Sequence, residues 1–137
     1  MRYLGGPRSD AFCQSWLRVH LGHWKINGFG MWVFRERVGN RFVGICGFVR
    51  IRYLGARELS FGYMLMAPFW HRGLATEMVR AILRIAFGQY RIKSVIAEIH
   101  HHNSASRRVA VRLGFRFETN ATLSSQPNML YRAARHS

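Results

Sequence analysis

The chain has 137 residues and a formal net charge of +15, with 21 Lys and Arg residues against six Asp and Glu. This length predicts a single domain, residues 1–137, with a substantial core. No stretch approaches the roughly 18 uninterrupted apolar residues of a membrane span. Residues 1–7 lack the apolar core of a signal peptide. The sequence therefore predicts a cytoplasmic protein with no membrane partner. The charge attracts polyanions in general, but the arginines are dispersed and form no nucleic-acid stripe along the sequence.

Hydrophobic periodicity predicts nine elements along the chain. In chain order they are a helix at 10–25, strands at 31–36, 41–51 and 57–66, a helix at 73–89, a strand at 94–99, a helix at 104–113, and strands at 115–121 and 128–132. Turn formers separate them: Gly28 and Gly30 end the first helix, residues 37–40 give a hairpin signal, and Pro68 ends the third strand because proline cannot donate to a sheet ladder. The order predicts an α/β domain with a mixed sheet.

The segment 69–78 reads FWHRGLATEM and lies where the third strand ends and the second helix begins. Gly73 and Ala75 allow backbone N–H groups to approach a phosphate, and the helix N-terminus behind them favours an anion. A tight strand-to-helix turn without a ligand explains a lone Gly-x-Ala equally well. Motifs elsewhere in the chain are needed to distinguish a phosphate-binding loop from a plain turn.

A wider ordered pattern surrounds this segment: YMLMAP at 63–68, WHRGLATE at 70–77, Asn103-x-x-Ser106, and LGF at 113–115. The combination resembles the GNAT superfamily of acetyl-CoA-dependent N-acetyltransferases, in particular the RimJ/RimL-type branch, whose loop often reads WGKGYATE. The resemblance covers nearly the whole chain and implies a mixed, mostly antiparallel sheet flanked by helices. Members usually begin with a further strand and helix, so we expect an N-terminally truncated form of that fold.

The resemblance implies acetyl-CoA as acetyl donor and co-substrate, with no metal. Backbone amides at 71–76 would donate to its diphosphate with help from the helix dipole, Arg72 would add positive charge, and the edge of the third strand would contact the pantetheine arm. The residues implied for binding acetyl-CoA are Leu65, Met66, His71, Arg72, Gly73, Leu74, Ala75, Thr76 and Asn103.

The resemblance also assigns catalytic roles. Ser106 would hydrogen-bond or protonate the departing CoA thiolate, although capping of the third helix by Asn103 or Ser106 explains the same spacing. The branch often carries a glutamate at the position of Ser60. Glu58 lies two residues earlier and points to the same side, so it is either a substitute base or the ion-pair partner of an arginine. The tyrosine that many family members use as general acid falls at Ala110 and is therefore absent.

Glu98, His100 and His102 alternate along one face of a predicted strand. Such spacing can hold a metal, but no fourth ligand is evident, and we predict no metal site. A histidine in the acceptor pocket or in a proton relay remains open, as do ordinary strand-end residues.

The sequence thus predicts an enzyme, an acyltransferase that moves acetyl from acetyl-CoA to a primary amine. The favoured acceptors are protein N-termini, such as those of ribosomal proteins, and polyamines, amino acids and aminoglycoside-like amines are alternative acceptors. The alternatives are a catalytically inactive CoA-binding GNAT module and a basic nucleic-acid-binding protein. An apolar sheet edge near 31–36 also predicts a homodimer, because exposed edges tend to associate.

Overall fold

The computed structural model describes residues 10–121 and 127–135, with side chains from residue 14 onward. Its elements are α1 (Asp10–Asn27), β1 (Met31–Arg35), β2 (Phe42–Tyr53), β3 (Ala56–Leu65), α2 (Leu74–Arg84), β4 (Ser94–His100), α3 (Ser104–Arg112), β5 (Arg116–Ala121) and β6 (Asn128–Ala134). A short 3-10 turn, Ala67–Phe69, follows β3, and a π-helical turn, Ile85–Gln89, extends α2. The predicted α/β fold class is confirmed, and every predicted element is present.

The six strands form one sheet in the order β1-β2-β3-β4-β6-β5. All neighbouring pairs are antiparallel except β3 and β4, which run parallel and pair at Ser60 and Ile96. The β2–β3 ladder continues to Leu65, and the β4–β6 ladder continues to His100. The sheet therefore opens between the carboxyl ends of β3 and β4.

The main core lies on the sheet face that α2 and α3 cover. Helix α2 buries Met78, Val79, Ile82 and Leu83, a 3–4 residue spacing that gives it one apolar side. These side chains join the strand residues that face them in one cluster, whose members include Phe48, Phe61, Leu65, Val95, Ala110 and Phe115. This packing fixes α2 and α3 on either side of the opening. Among the described residues, no helix combines the length and hydropathy needed to cross a bilayer.

A two-residue turn joins β2 to β3. Leu54 and Gly55 have φ angles of 49° and 81°, the pair of positive values that a type I′ hairpin turn requires. This turn sets the register so that Tyr53 pairs with Ala56 and Arg52 pairs with Arg57. Two arginines consequently lie side by side at this end of the sheet.

Candidate active site

The opening between β3 and β4 leads into a pocket of about 490 Å³, a volume within the range of small-molecule sites. Four segments contribute to it: the end of β3, the loop before α2, the first turn of α2, and α3. Its lining residues are Tyr63, Leu65, Trp70, His71, Gly73, Leu74, Ala75, Thr76, Asn103, Ala105, Ser106, Arg108, Val109 and Arg112. Most of the residues that the sequence resemblance implied are therefore brought together in one pocket.

The loop before α2 presents backbone amides to this pocket. Gly73 is the N-cap residue of α2 with φ 74°, and a Cβ added to it would meet no atom within 4 Å. The first intrahelical bond joins the Glu77 N–H to the Gly73 carbonyl, at 3.2 Å. The N–H groups of residues 74–76 precede that bond and have no partner within the helix. Open space beside these donors and the positive end of the helix dipole fit a phosphate group.

The charged side chains in the pocket come from α3 and were not predicted. Arg108 and Arg112 line it one helical turn apart, and none of the fourteen lining residues is acidic. Arg72 lies elsewhere: its guanidinium carbon is 5.4 Å from the centre of the Phe69 ring, and the residue is not part of the lining. The positive side chains of the pocket thus come from α3. The four-residue spacing of Arg108 and Arg112 on a predicted helix was the signal in the sequence that could have revealed them.

Strand β3 ends one residue earlier than predicted, and this changes the role of Met66. The Met66 N–H donates to the Val43 carbonyl at 2.9 Å, and its own carbonyl accepts from the Phe69 N–H at 2.9 Å. Because both backbone groups bond within the chain and Met66 does not line the pocket, the geometry does not support the implied contact with pantetheine. Leu65 does line the pocket, and its carbonyl accepts a hydrogen bond from the Trp70 indole at 2.7 Å.

Ser106 forms a hydrogen bond that the sequence did not reveal. Its Oγ lies 2.9 Å from the hydroxyl oxygen of Tyr63, across the opening on β3. Burial raises the pKa of Tyr63, and the hydrogen bond to Ser106 opposes this effect more weakly. Tyr63 therefore keeps its proton at neutral pH and can donate to Ser106, which leaves the Ser106 proton free to point at a ligand.

Asn103 caps α3, as one of the sequence alternatives had it. Its Oδ1 accepts a hydrogen bond from the Ser106 N–H at 3.2 Å. The cap fixes the first turn of α3 and with it the position of Ser106. Capping leaves the Asn103 NH₂ group available to a ligand, so the structural and functional interpretations are compatible.

Ser60 and Glu58 have different surroundings. Ser60 is half-buried at the point where β3 pairs with β4. The Glu58 Oε1 and Oε2 atoms accept hydrogen bonds from the same arginine, Arg132, at 3.0 and 2.8 Å. Arg132 also donates a hydrogen bond to Glu118 at 2.8 Å. The hydrogen bond to Glu58 and, to a smaller extent, the one to Glu118 raise the pKa of the Arg132 guanidinium. Glu58 is thus an ion-pair partner, the alternative that the sequence had left open, and both of its oxygens are engaged.

Glu98 lies on the same sheet face as Ser60, because Ser60 pairs with Ile96 and Glu98 follows two residues later on β4. The side-chain amide of the buried Asn128 donates a hydrogen bond to Glu98 Oε1. His100 Nδ1 accepts from the His102 backbone N–H at 3.1 Å. Within residues 10–121 and 127–135 the structure forms no group of three His, Cys, Asp or Glu side chains able to share a metal ion. Glu98 is therefore half-buried on the face that carries Ser60, two residues beyond the β3–β4 pair, and it is not part of the pocket lining.

The fold and this pocket match a known family. The model of the acetyltransferase (GNAT) domain family matches residues 1–116, most of the chain. The chain belongs to the GNAT acetyltransferase family, and it is an acyltransferase whose fold uses acetyl-CoA.

Similar proteins agree with this assignment. Bacillus subtilis YkkB is 26% identical over 131 residues, which cover 96% of this chain and 76% of YkkB. A GnaT-family acetyltransferase from Bordetella pertussis is 26% identical, with a TM-score of 0.79 over 88% of this chain and 76% of that one. The structure of RimL, a ribosomal L7/L12 alpha-N-protein acetyltransferase in complex with coenzyme A, gives a TM-score of 0.77 at 17% identity over 93% of this chain and 74% of that one.

Proposed function

We propose that this protein, a single domain of residues 1–137 acting in the cytoplasm, transfers acetyl from acetyl-CoA to the N-terminal amine of a protein. The observation that carries the proposal is one pocket with two ends: free amides at the start of α2, and the Tyr63–Ser106 hydrogen bond. An anionic diphosphate suits the first end, and a leaving thiolate suits the second. Acetyl-CoA is the co-substrate that carries both groups.

In this proposal the chain holds acetyl-CoA along the pocket. The amides of residues 71–76 bind the diphosphate, and Arg108 and Arg112 add positive charge from the facing helix. Leu65 and the Asn103 amide contact the pantetheine arm. Ser106 donates a hydrogen bond to the sulfur as the carbon–sulfur bond breaks, and Tyr63 acts as a positioning residue that keeps the Ser106 hydroxyl oriented.

We assign the general base to Glu98 in place of Ser60 or Glu58. The amine must lose a proton as its nitrogen attacks the thioester carbon, and a carboxylate at the opening can take that proton directly or through one water. Serine at position 60 is too weak a base at neutral pH, and Arg132 engages both oxygens of Glu58. The proton gained by Glu98 balances the thiolate that leaves.

Replacing Glu98 with glutamine should lower kcat/KM by about 100-fold, because a positioned base contributes roughly 10²–10⁴. Acetyl-CoA affinity should hardly change. The matched control is Glu58→Gln, which loosens the ion pair with Arg132 and should lower the melting temperature while leaving kcat/KM nearly unchanged. A large loss of kcat/KM in Glu58→Gln, or none in Glu98→Gln, would reverse the assignment.

A protein N-terminus is favoured over a polycationic acceptor by the charge of the chain. The protein has a net charge of +15, and this field repels a polycationic acceptor. The likeness to RimL in fold is consistent with this choice. The test is a competition in which peptides with free N-terminal Ala or Ser, spermidine and an aminoglycoside share one acetyl-CoA pool, with products quantified by mass spectrometry. Faster transfer to spermidine would refute the choice, and no transfer to any amine would favour an inactive CoA-binding module.

We further propose a homodimer through the edge of β1. In the part of the chain that the structure describes, β1 is an outer strand, and its Val33 side chain is 60% exposed. Val33→Lys should weaken association and lower the melting temperature, because a charge blocks edge-to-edge pairing. Sedimentation at high micromolar concentration provides the measurement. A wild-type protein that sediments as a monomer would exclude this dimer.

A further inference from the structure

A second recess, which we call the basic groove, lies at the opposite end of β3 from the acetyl-CoA pocket. It has a volume of about 930 Å³, and its charged lining comprises five cations and one carboxylate. These residues are Arg50, Arg52, Arg57, Arg91, Lys93 and Glu58. These charged residues come from β2, β3 and the loop before β4. They are dispersed along the sequence, and the fold brings them together in one recess.

The positive charge of the basic groove is not neutralised by its carboxylate. Glu58 is bound by Arg132, which is not part of the groove lining. Arg52 and Arg57 are direct cross-strand partners, and like charges in this arrangement destabilise a sheet. A bound polyanion would offset that repulsion.

Contacts within the fold hold two of these residues, Arg50 through its side chain and Arg91 through its backbone. Arg50 Nε donates to the Asn27 side-chain oxygen at 2.7 Å, and its guanidinium lies 5.2 Å from the centre of the Phe29 ring. Arg91 has φ 55°, a left-handed conformation that strains a non-glycine residue. Its carbonyl accepts from Arg135 Nη1 at 2.9 Å, which helps to fix this strained loop. The fold therefore positions the Arg50 side chain and the Arg91 backbone before any ligand arrives.

We propose that the basic groove binds the phosphate backbone of single-stranded RNA. Four of its five cations are arginines, whose planar fork matches phosphate oxygens bidentately. A phosphodiester chain carries a charge on every unit, and a positively charged groove that follows this backbone is typical of single-strand sites. The cations line a recess rather than a protruding element, and a single strand enters a recess more readily than a duplex does.

The basic groove and the acetyl-CoA pocket can be filled together. Leu59 lines the groove and Tyr63 lines the pocket, four residues further along β3, which corresponds to about 13 Å. RNA binding is therefore a property separate from acetyl transfer, and it would bring the enzyme to an RNA-containing assembly. RNA binding at the groove does not depend on which amine is acetylated.

The test measures fluorescence anisotropy of a labelled 20-nucleotide oligo(U) RNA over a series of salt concentrations. The double variant Arg52→Gln with Arg57→Gln should bind about tenfold more weakly, and its log–log salt slope should fall by about 1.4, because each lost single-strand contact removes roughly 0.7. The matched control replaces Arg80 and Arg84, exposed residues of α2, with glutamine. It removes the same charge and should stay within about threefold of the wild type.

Equal losses in the two double variants would overturn the proposal, since diffuse charge alone would then explain binding. Tighter binding of a 20-base-pair duplex, or equally effective competition by poly-glutamate, would also overturn it. The Arg52/Arg57 variant relieves a repulsion, so its melting temperature should equal or exceed that of the wild type, and its acetyl-CoA affinity should be unchanged. If that variant nevertheless fails to fold, Arg91→Gln with Lys93→Gln removes two groove charges from the loop and must show the same loss.

Discussion

Replacing Gly73 with aspartate should lower acetyl-CoA affinity by at least about 100-fold, or roughly 2.7 kcal/mol. The new carboxylate would stand at the N-cap of α2, accept the amides that we assign to the diphosphate, and repel its charge. Aspartate is also a good N-cap, which offsets part of the strain at φ 74°. The variant should therefore fold, and isothermal calorimetry measures its affinity directly.

The matched control for this variant is Gly73→Ala. It carries the same backbone strain without the charge, and its Cβ meets no atom within 4 Å, so acetyl-CoA affinity should fall by only about threefold, within the strain that such a conformation costs. Unchanged affinity in a folded Gly73→Asp variant would show that the diphosphate binds elsewhere. Equal losses in both variants would attribute the effect to loop distortion.

Ser106→Ala should lower kcat by about 100-fold and leave acetyl-CoA affinity nearly unchanged. The reason is that a hydrogen bond to the departing sulfur forms fully only as the bond breaks, and such an interaction acts on kcat rather than on binding. Tyr63→Phe removes the group that orients Ser106 and should lower kcat by about tenfold. The double variant should be no slower than Ser106→Ala, because the two hydroxyls act as a unit.

Tyr90→Phe is the control for this pair. Its hydroxyl donates to the Gly28 carbonyl at 2.6 Å, outside the acetyl-CoA pocket, and removing it should leave kcat unchanged. Single-turnover kinetics with the best acceptor separates the chemical step from product release. Wild-type turnover in Ser106→Ala, or losses that multiply in the double variant, would reduce the pair to a structural contact.

The elements of this fold were predictable because their signals are local. Glycines mark the end of α1, and Leu54-Gly55 turns the chain between two alternating strands. Helix α2 was predicted to residue 89, whereas the α-helix ends at Arg84 and continues as a π-helical turn. Periodicity reports the apolar face, which both helix types share, so it could not locate this change.

The contacts that give the site its chemistry were not predictable in the same way. Tyr63 and Ser106 are 43 residues apart, and Glu58 and Arg132 are 74 apart. Such pairs depend on how strands and helices that are distant in the sequence are arranged in space, and hydrophobic patterning does not specify that. Met66 was misplaced for a related reason: a 3-10 turn and a bond to β2 engage its backbone.

A chemical-shift titration of the backbone amides with acetyl-CoA tests the central claim most directly. We expect the largest ¹H–¹⁵N shift changes at Gly73, Leu74, Ala75 and Thr76, with smaller ones at Asn103 and Ser106 on the facing helix. Changes confined to the basic groove, at residues 50–57 and 90–94, or no saturable change at residues 71–76, would contradict it.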